Sequence, residues 1–226
     1  GNTIAHTNDG GVTWTSQLQA SGWFRSMFFY NNQIGFAAGQ MYSTQDGLIA
    51  RTTNGGVNWQ TSTLPNSGEI RRIFFVSSSV GWIASWSNKL FKTTDGGNSW
   101  IEQSYGVGAS ISTIFFENTS VGWITGDNFI RRTTDGGNTW QTISFPFSPI
   151  YIGGIKHING VLWVANYNAV YYTSNNGATW QTLPSSPQAW DQINAAHFFP
   201  SGKIYATTGG GSMRYIPAGV NACSSG

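Results

Sequence analysis

Five times along this chain a polar-glycine turn is followed by a tryptophan at a nearly constant interval. The copies read HTNDGGVTW, RTTNGGVNW, KTTDGGNSW, RTTDGGNTW and YTSNNGATW, and they end at Trp14, Trp59, Trp100, Trp140 and Trp180. Successive tryptophans therefore stand 45, 41, 40 and 40 residues apart. A period of that length marks one small supersecondary unit copied and stacked, because such a unit cannot bury its own apolar face alone. The 226 residues are thus read as one repeat domain and not as two unrelated ones.

A second module lies between the turns: MFFYNNQIGFAAG (27–39), IFFVSSSVGWIAS (73–85), IFFENTSVGWITG (114–126), IKHINGVLWVAN (155–166) and AHFFPSGKIYATT (196–208). Each is an apolar run, a polar turn, then a segment centred on Phe36, Trp82, Trp123, Trp163 or Tyr205. Short runs rich in Ile, Val, Phe and Trp between Asn/Ser/Gly turns read as strands. Helical spacing is sustained nowhere, so the chain is all-β. Each period holds four strands, A to D. In one unit these are Ile70–Val76, Val80–Trp86, Lys89–Thr94 and Asn98–Gln103. Four short antiparallel strands per period describe one blade of a β-propeller.

The modules run CD, then AB–CD four times, then AB. Joining the N-terminal pair at Thr3–Gln17 to the C-terminal pair at Ile193–Thr208 gives five blades and hides two open edges. Met213–Ile216 is a competing C strand. The propeller is expected over residues 1–218, with 219–226 as a flexible tail carrying Cys223, the single cysteine. That thiol has no internal partner and says nothing about redox compartment.

The repeated turns read as structure. Asp or Asn side chains close a turn by bonding the backbone two residues on, and glycine supplies positive φ. Asp9, Asn54, Asp95, Asp135 and Asn175 take the first role. Trp14, Trp59, Trp100, Trp140 and Trp180 are expected to bury their rings between blades. A catalytic residue is needed once, a fold device in every blade. Calcium requires six to eight oxygens, whereas each turn offers one carboxylate or only an Asn. No metal and no cofactor are expected.

Charged residues make up 9% of the chain, against roughly 25% in an ordinary soluble protein. A net charge of +2 is too small and scattered for a nucleic-acid surface. No apolar run approaches the roughly 18 residues of a membrane span. The opening GNTIAHTNDGG already belongs to a repeat, so no signal peptide is expected in it. Asn118-Thr119-Ser120 is a lone glycosylation triplet of the kind that arises by chance.

The turn pattern SxDxGxTW is the Asp-box, or BNR repeat, of sialidases, other glycoside hydrolases and sortilin-type receptors. The longer pattern, FF–x5–GW followed by TTDGG–x2–W, resembles Asp-box propellers related to the photosystem II stability and assembly factor, and their secreted bacterial relatives. The resemblance runs from Ile4 to Tyr205. It implies a propeller, and a seven-bladed one in the assembly factor, for which this chain is short. It leaves function open, since one fold hosts many tasks.

Propeller ligands usually sit on the face made by the D→A and B→C connections. Here those connections carry Trp23, Arg25, Tyr42, Arg71, Arg72, Trp86, Tyr105, Asp127, Tyr151, Tyr167, Trp190 and Asp191. Arg25, Arg71 and Arg72 are the expected charged anchors, able to pair with carboxylates. Trp23, Tyr42, Trp86, Tyr167 and Trp190 are the expected stacking surface. Arg25 and Arg71 share one register of strand A, where the other units have Ser112, Gly153 and Asn194.

A glycosidase would need two carboxylates about 5 to 10 Å apart. Glu69, Asp127 and Asp191 all reach that face, so a sialidase-like hydrolase is the alternative reading. The sialidase pattern also needs an arginine triad and a Tyr/Glu nucleophile pair, and the sequence has no FRIP-like segment. His6, His157 and His197 lack neighbours at metal-ligand spacing. The expectation is a non-enzymatic protein- or glycan-binding scaffold with one ligand face, part of a larger chain or assembly. Its composition points to an extracellular or cell-surface location, with the periplasm as the next choice.

Overall fold

The computed structural model describes residues 1–106, 108–146, 152–166, 169–183, 193–199, 203–208 and 213–216. Every regular element among them is a β-strand. Strands β1 (Thr3–His6) and β2 (Thr15–Gln19) form a two-stranded sheet. Four-stranded sheets follow, each in chain order. The first is β3 (Gly22–Phe29), β4 (Gly35–Met41), β5 (Gly47–Thr52) and β6 (Gln60–Leu64). The second is β7 (Ile70–Phe75), β8 (Gly81–Ser85), β9 (Leu90–Thr93) and β10 (Ile101–Gln103). The third is β11 (Ile111–Phe116), β12 (Gly122–Gly126), β13 (Phe129–Thr133) and β14 (Gln141–Ile143). The fourth is β15 (Ile152–Ile158), β16 (Val161–Asn166), β17 (Val170–Thr173) and β18 (Gln181–Thr182). A three-stranded sheet of β19 (Ile193–Phe198), β20 (Ile204–Thr208) and β21 (Met213–Ile216) comes last. These are the blades of a β-propeller.

The chain divides into two compact units. One is Gly1–Gly122 with Thr133–Trp140; the other is Trp123–Arg132 with Gln141–Gly226. In the first unit β7 packs between β3 and β11, and in the second β15 packs on β19.

One aromatic stack recurs. In the first unit Phe36 of β4 lies flat on Phe75 of β7, with ring centroids 3.8 Å apart at 7°. Trp82 of β8 lies on Phe116 of β11 at 3.4 Å and 7°. In the second unit Trp123 of β12 stacks on His157 of β15 at 4.9 Å. A strand-C cation covers the other face: Lys92 over Trp82 and Arg132 over Trp123, at 5.5 and 5.7 Å. The glycine before each such aromatic is required by contact. A Cβ on Gly35 would fall 2.5 Å from the Phe29 ring, and one on Gly81 2.6 Å from Phe75. The Gly-aromatic pair thus makes room for the phenylalanine of its own sheet and reaches for that of the next.

This corrects the role expected of the box tryptophans. Among the described residues the fully buried rings include Phe36, Trp82 and Trp123 with the stacking partners Phe75 and Phe116, and none of the box tryptophans. Trp59, Trp100 and Trp140 stand edge-on against Phe29, Phe75 and Phe116 of their own sheets, at 6.0, 5.9 and 6.1 Å. Trp180 donates its Nε1 proton to the Ser144 carbonyl, and Trp14 is exposed. Each box tryptophan stands immediately before a D strand, and Trp59, Trp100 and Trp140 are only partly buried there.

The turn itself works through a pair of side chains. The buried Thr93 hydroxyl donates to Asp95 Oδ1 at 2.8 Å and accepts from the Gly97 amide at 2.9 Å. Asp95 Oδ1 accepts from the Ser99 amide, four residues on instead of the expected two. Thr133–Asp135 and Thr52–Asn54 repeat the arrangement. Asn serves because the backbone bond needs one oxygen only.

The closure drawn from module counting is also corrected. Strand β20 pairs with β19 along one edge and with β21 along the other. The edge expected for the N-terminal strands is therefore taken by Met213–Ile216. Cys223 and the tail 219–226 lie outside the described residues.

Two outcomes are expected. Trp82→Ala should cost about 3–5 kcal/mol in denaturant unfolding, whereas Trp14→Ala should stay within about 0.5 kcal/mol. Hydrogen bonds from the Ser99 hydroxyl and amide, then from Thr93, hold Asp95 at about 2, below the ordinary 3.8; Thr139 and Thr133 do the same for Asp135. A depressed folded value means that this contribution is complete above pH 3.8 and is lost as pH falls towards 2. Carboxyl NMR titration should return those values, and Asp95→Asn with Asp135→Asn should flatten the acid limb of the stability curve.

Candidate functional site

The site begins with two β-bulges. The β3–β4 register slips between Phe24 and Ser26, leaving Arg25 as the extra residue. The β7–β8 register slips between Ile70 and Arg72, leaving Arg71. A bulge lets one strand hold two residues against one and re-aims a side chain. The same slip recurs in β15 between Ile152 and Gly154, and in β19 between Ile193 and Ala195. The shared register seen in the sequence is thus a repeated break in the ladder.

Glu69 joins the two arginines. It follows Gly68, whose φ is +70° and which stands so close to Ser87 that a Cβ would overlap the Ser87 hydroxyl. Only glycine fits there, and it brings the turn before β7 against the turn after β8. The Trp86 amide donates to the Glu69 carbonyl at 2.8 Å and fastens the two turns. The Glu69 side chain then accepts three hydrogen bonds. Arg25 Nε and Trp23 Nε1 donate to Oε1 at 2.5 and 2.9 Å, and Arg71 Nε donates to Oε2 at 3.2 Å. The Arg71 guanidinium lies 3.4 Å above the Trp86 ring centroid. Trp23 packs on Tyr42 at 5.4 Å.

Electrostatics favour a charged centre. Glu69 is 8% exposed, and burial alone would raise its pKa. The hydrogen bonds from Arg25, Trp23 and Arg71 outweigh burial and hold the carboxyl below its ordinary value. One carboxylate between two guanidinium groups leaves the cluster one positive charge in excess. Each arginine uses Nε on Glu69, so the terminal nitrogens point their donors elsewhere. Trp86 and Tyr42 are more than half exposed beside them.

The structure therefore gathers Trp23, Arg25, Tyr42, Arg71 and Trp86. Arg72 donates Nη1 to the Arg71 carbonyl and is not among the donors to Glu69. Tyr105 is buried, and its hydroxyl bonds the carbonyls of Asn88 and Ala109, so it clamps a loop and is no part of the surface. Tyr151, Tyr167, Trp190 and Asp191 lie outside the described residues. The sequence reading placed Glu69 only among possible glycosidase acids. The signal was present in GEIRR, an acid two residues before the bulge arginine. A glycosidase acid must keep its proton through a raised pKa, and Glu69 is driven the other way. Among the described residues no cluster of three or more His, Cys, Asp or Glu could hold a metal.

Glu69→Ala should destabilise the chain by about 1–3 kcal/mol, since two guanidinium groups lose their shared acceptor. Arg71→Ala, which removes one half-exposed partner, should cost under about 1 kcal/mol. Urea titration checks both. Because the folded pKa of Glu69 is depressed, the difference between the parent and Glu69→Ala should shrink as pH falls below the ordinary carboxylate range.

A family model described as photosynthesis system II assembly factor YCF48 matches residues 52–219. Among solved structures, the chain is similar to YCF48 bound to a D1 peptide, at 17% identity and TM-score 0.69, covering 96% of this chain and 69% of that one. YCF48 from Cyanidioschyzon merolae matches at 17% identity and TM-score 0.68, covering 90% of this chain and 70% of that one. An ancestral GH74 enzyme matches at 15% identity and TM-score 0.72, covering 92% of this chain and 32% of that one. At these identities the structures share the fold. No curated protein matches the chain. The extracellular or cell-surface location expected from composition is corrected by the family match, whose description is that of a photosystem II assembly factor.

Proposed function

The chain belongs to the photosynthesis system II assembly factor YCF48 family, and from that premise we propose that it is a non-catalytic protein-binding module whose partner docks on the Glu69 cluster. The observation that carries the reading is the pair of bulge arginines, each anchored through Nε to one ionised carboxylate, beside two exposed aromatic rings. Anchoring fixes each planar fork before a ligand arrives, which lowers the ordering cost of binding. The terminal nitrogens then suit a carboxylate of a peptide, and Trp86 and Tyr42 suit its apolar neighbours. Arg, Trp and Tyr are the side chains that carry most binding energy at protein interfaces. The YCF48 structure with a D1 peptide supports a peptide as the ligand class. Arg71 covers one face of Trp86, so that face is closed to a sugar ring, which favours a protein partner over a glycan.

Calorimetry with a D1 peptide tests this. Arg25→Ala/Arg71→Ala and Trp86→Ala should each weaken binding about tenfold or more, and Arg72→Ala should leave it near the parent value. Equal affinity for the parent and the Arg25→Ala/Arg71→Ala variant would place the binding surface elsewhere.

A further inference from the structure

We propose that an internal water-binding site joins the second and third sheets inside the first unit, held at Gly137 by the Trp82 indole and the Gln103 carboxamide. It is independent of the Glu69 cluster and rests on two buried polar atoms that border one point in the packing.

Trp82 is fully buried, with the flat ring of Phe116 3.4 Å from one face and the Lys92 ammonium 5.5 Å from its ring centroid. Both faces are covered, so the Nε1 proton is usable only in the plane of the ring. Lys92 donates to the Gly136 carbonyl at 2.8 Å, which brings the third sheet's turn against this edge. Gly137 comes next, at φ +91°. The point where its Cβ would stand lies 2.5 Å from Gln103 Oε1 and 3.4 Å from Trp82 Nε1. Glycine therefore leaves room beside both atoms. The Gly137 amide donates to Thr133 Oγ1, and its carbonyl accepts from the Trp140 indole. Trp82 Nε1 and Gln103 Oε1 are buried and have no hydrogen-bond partner among the described residues. Buried donors and acceptors of this kind are ordinarily satisfied, by protein or by ordered water.

The interface between the first and second sheets shows that the pair is not a device of the repeat. There Phe36, which has no N–H, holds the place of Trp82, and the exposed Ser62 holds the place of Gln103. Gly97 holds the place of Gly137, and the atoms nearest its Cβ point are ring carbons of Phe36, Trp100 and Phe75. Donor and acceptor thus arrive together at one interface and are both missing from the other. A single water satisfies them: its oxygen accepts from the indole, and one of its protons goes to Gln103 Oε1. Polar sites with about three partners hold buried water, whereas apolar gaps stay dry. The surroundings favour a neutral ligand. The Lys92 ammonium repels a cation, and the Gln103 carbonyl oxygen repels an anion.

Two measurements test the site. A high-resolution crystal structure should show one water within hydrogen-bond distance of both Trp82 Nε1 and Gln103 Oε1. Urea titration then follows Gln103→Met, which keeps the length of the side chain and removes its acceptor. In the parent this change should raise the unfolding equilibrium constant about tenfold, because the indole and its water lose a partner. In a Trp82→Phe background, where no donor is left to satisfy, the same change should raise it less than about threefold. Phe36 stacks flat in the equivalent place, so Trp82→Phe is expected to fold. Density showing a direct Trp82–Gln103 bond, or no water at the pair, would overturn the proposal. So would an equal effect of Gln103→Met in the two backgrounds.

Discussion

The flat stack between the B-strand aromatic of one sheet and the A-strand aromatic of the next is the contact on which the rest depends. Phe36 on Phe75 and Trp82 on Phe116 each bring two large rings out of water at an interface only two strands wide. A stacked aromatic pair contributes about 0.5–1.5 kcal/mol beyond its area burial. The stack also dictates its neighbours. Gly81 must lack a side chain because Phe75 lies over it, and Thr93 is buried behind the turn that returns the chain to the outer strand. The 40-residue period is thus the length of chain needed to build one stack, leave it, and arrive at the next.

That dependence explains which parts of the fold were legible in the sequence. The FF–x5–GW and TTDGG–x2–W patterns are imprints of contacts made in every sheet, so strand order and approximate bounds followed from them. The expected strand Ile70–Val76 is observed as Ile70–Phe75, and Val80–Trp86 as Gly81–Ser85. What the pattern did not carry was the division of labour between the two tryptophan families. Both recur with the same period, and only packing distinguishes a ring sandwiched between sheets from one resting on an edge. Module counting failed for a related reason. It reports how many strands a chain can form, not which of two claimants, the N-terminal pair or Met213–Ile216, reaches an edge first. Composition failed on location because low charge and abundant Asn, Ser, Thr and Gly describe a surface, and unrelated compartments tolerate the same surface.

The candidate site was half legible. Arg25 and Arg71 stood out because two cations broke an otherwise neutral register. Trp23, Tyr42 and Trp86 stood out as aromatics in connections. Glu69 did not, because its importance comes from being reached by residues 44 and 46 positions earlier, and its place two residues before Arg71 is the one local trace of that. The burial that makes Glu69 stand out in a chain so poor in charge is visible only in the structure. An ion in such a place requires partners, and the two bulge arginines supply them.

The bulge explains how a repeat so constrained can hold a site at all. Phe75 and Ile73 cannot vary without disturbing a stack, but Arg71 is the residue the ladder leaves over. Its side chain takes no part in the aromatic stack, so the same register can hold arginine in β3 and β7 and glycine in β15. Each of the sheets that begin with β3, β7, β15 and β19 therefore offers one position released from the repeat, near the start of its first strand and beside the connections. Where two adjacent sheets both place arginine there, the charge would repel across the sheets unless an acid stood between them. Glu69 meets that need from the turn that Gly68 and Trp86 hold in place. The packing that repeats and the cluster that does not are thus separate layers of one strand, four residues apart in the sequence, and each can change without the other.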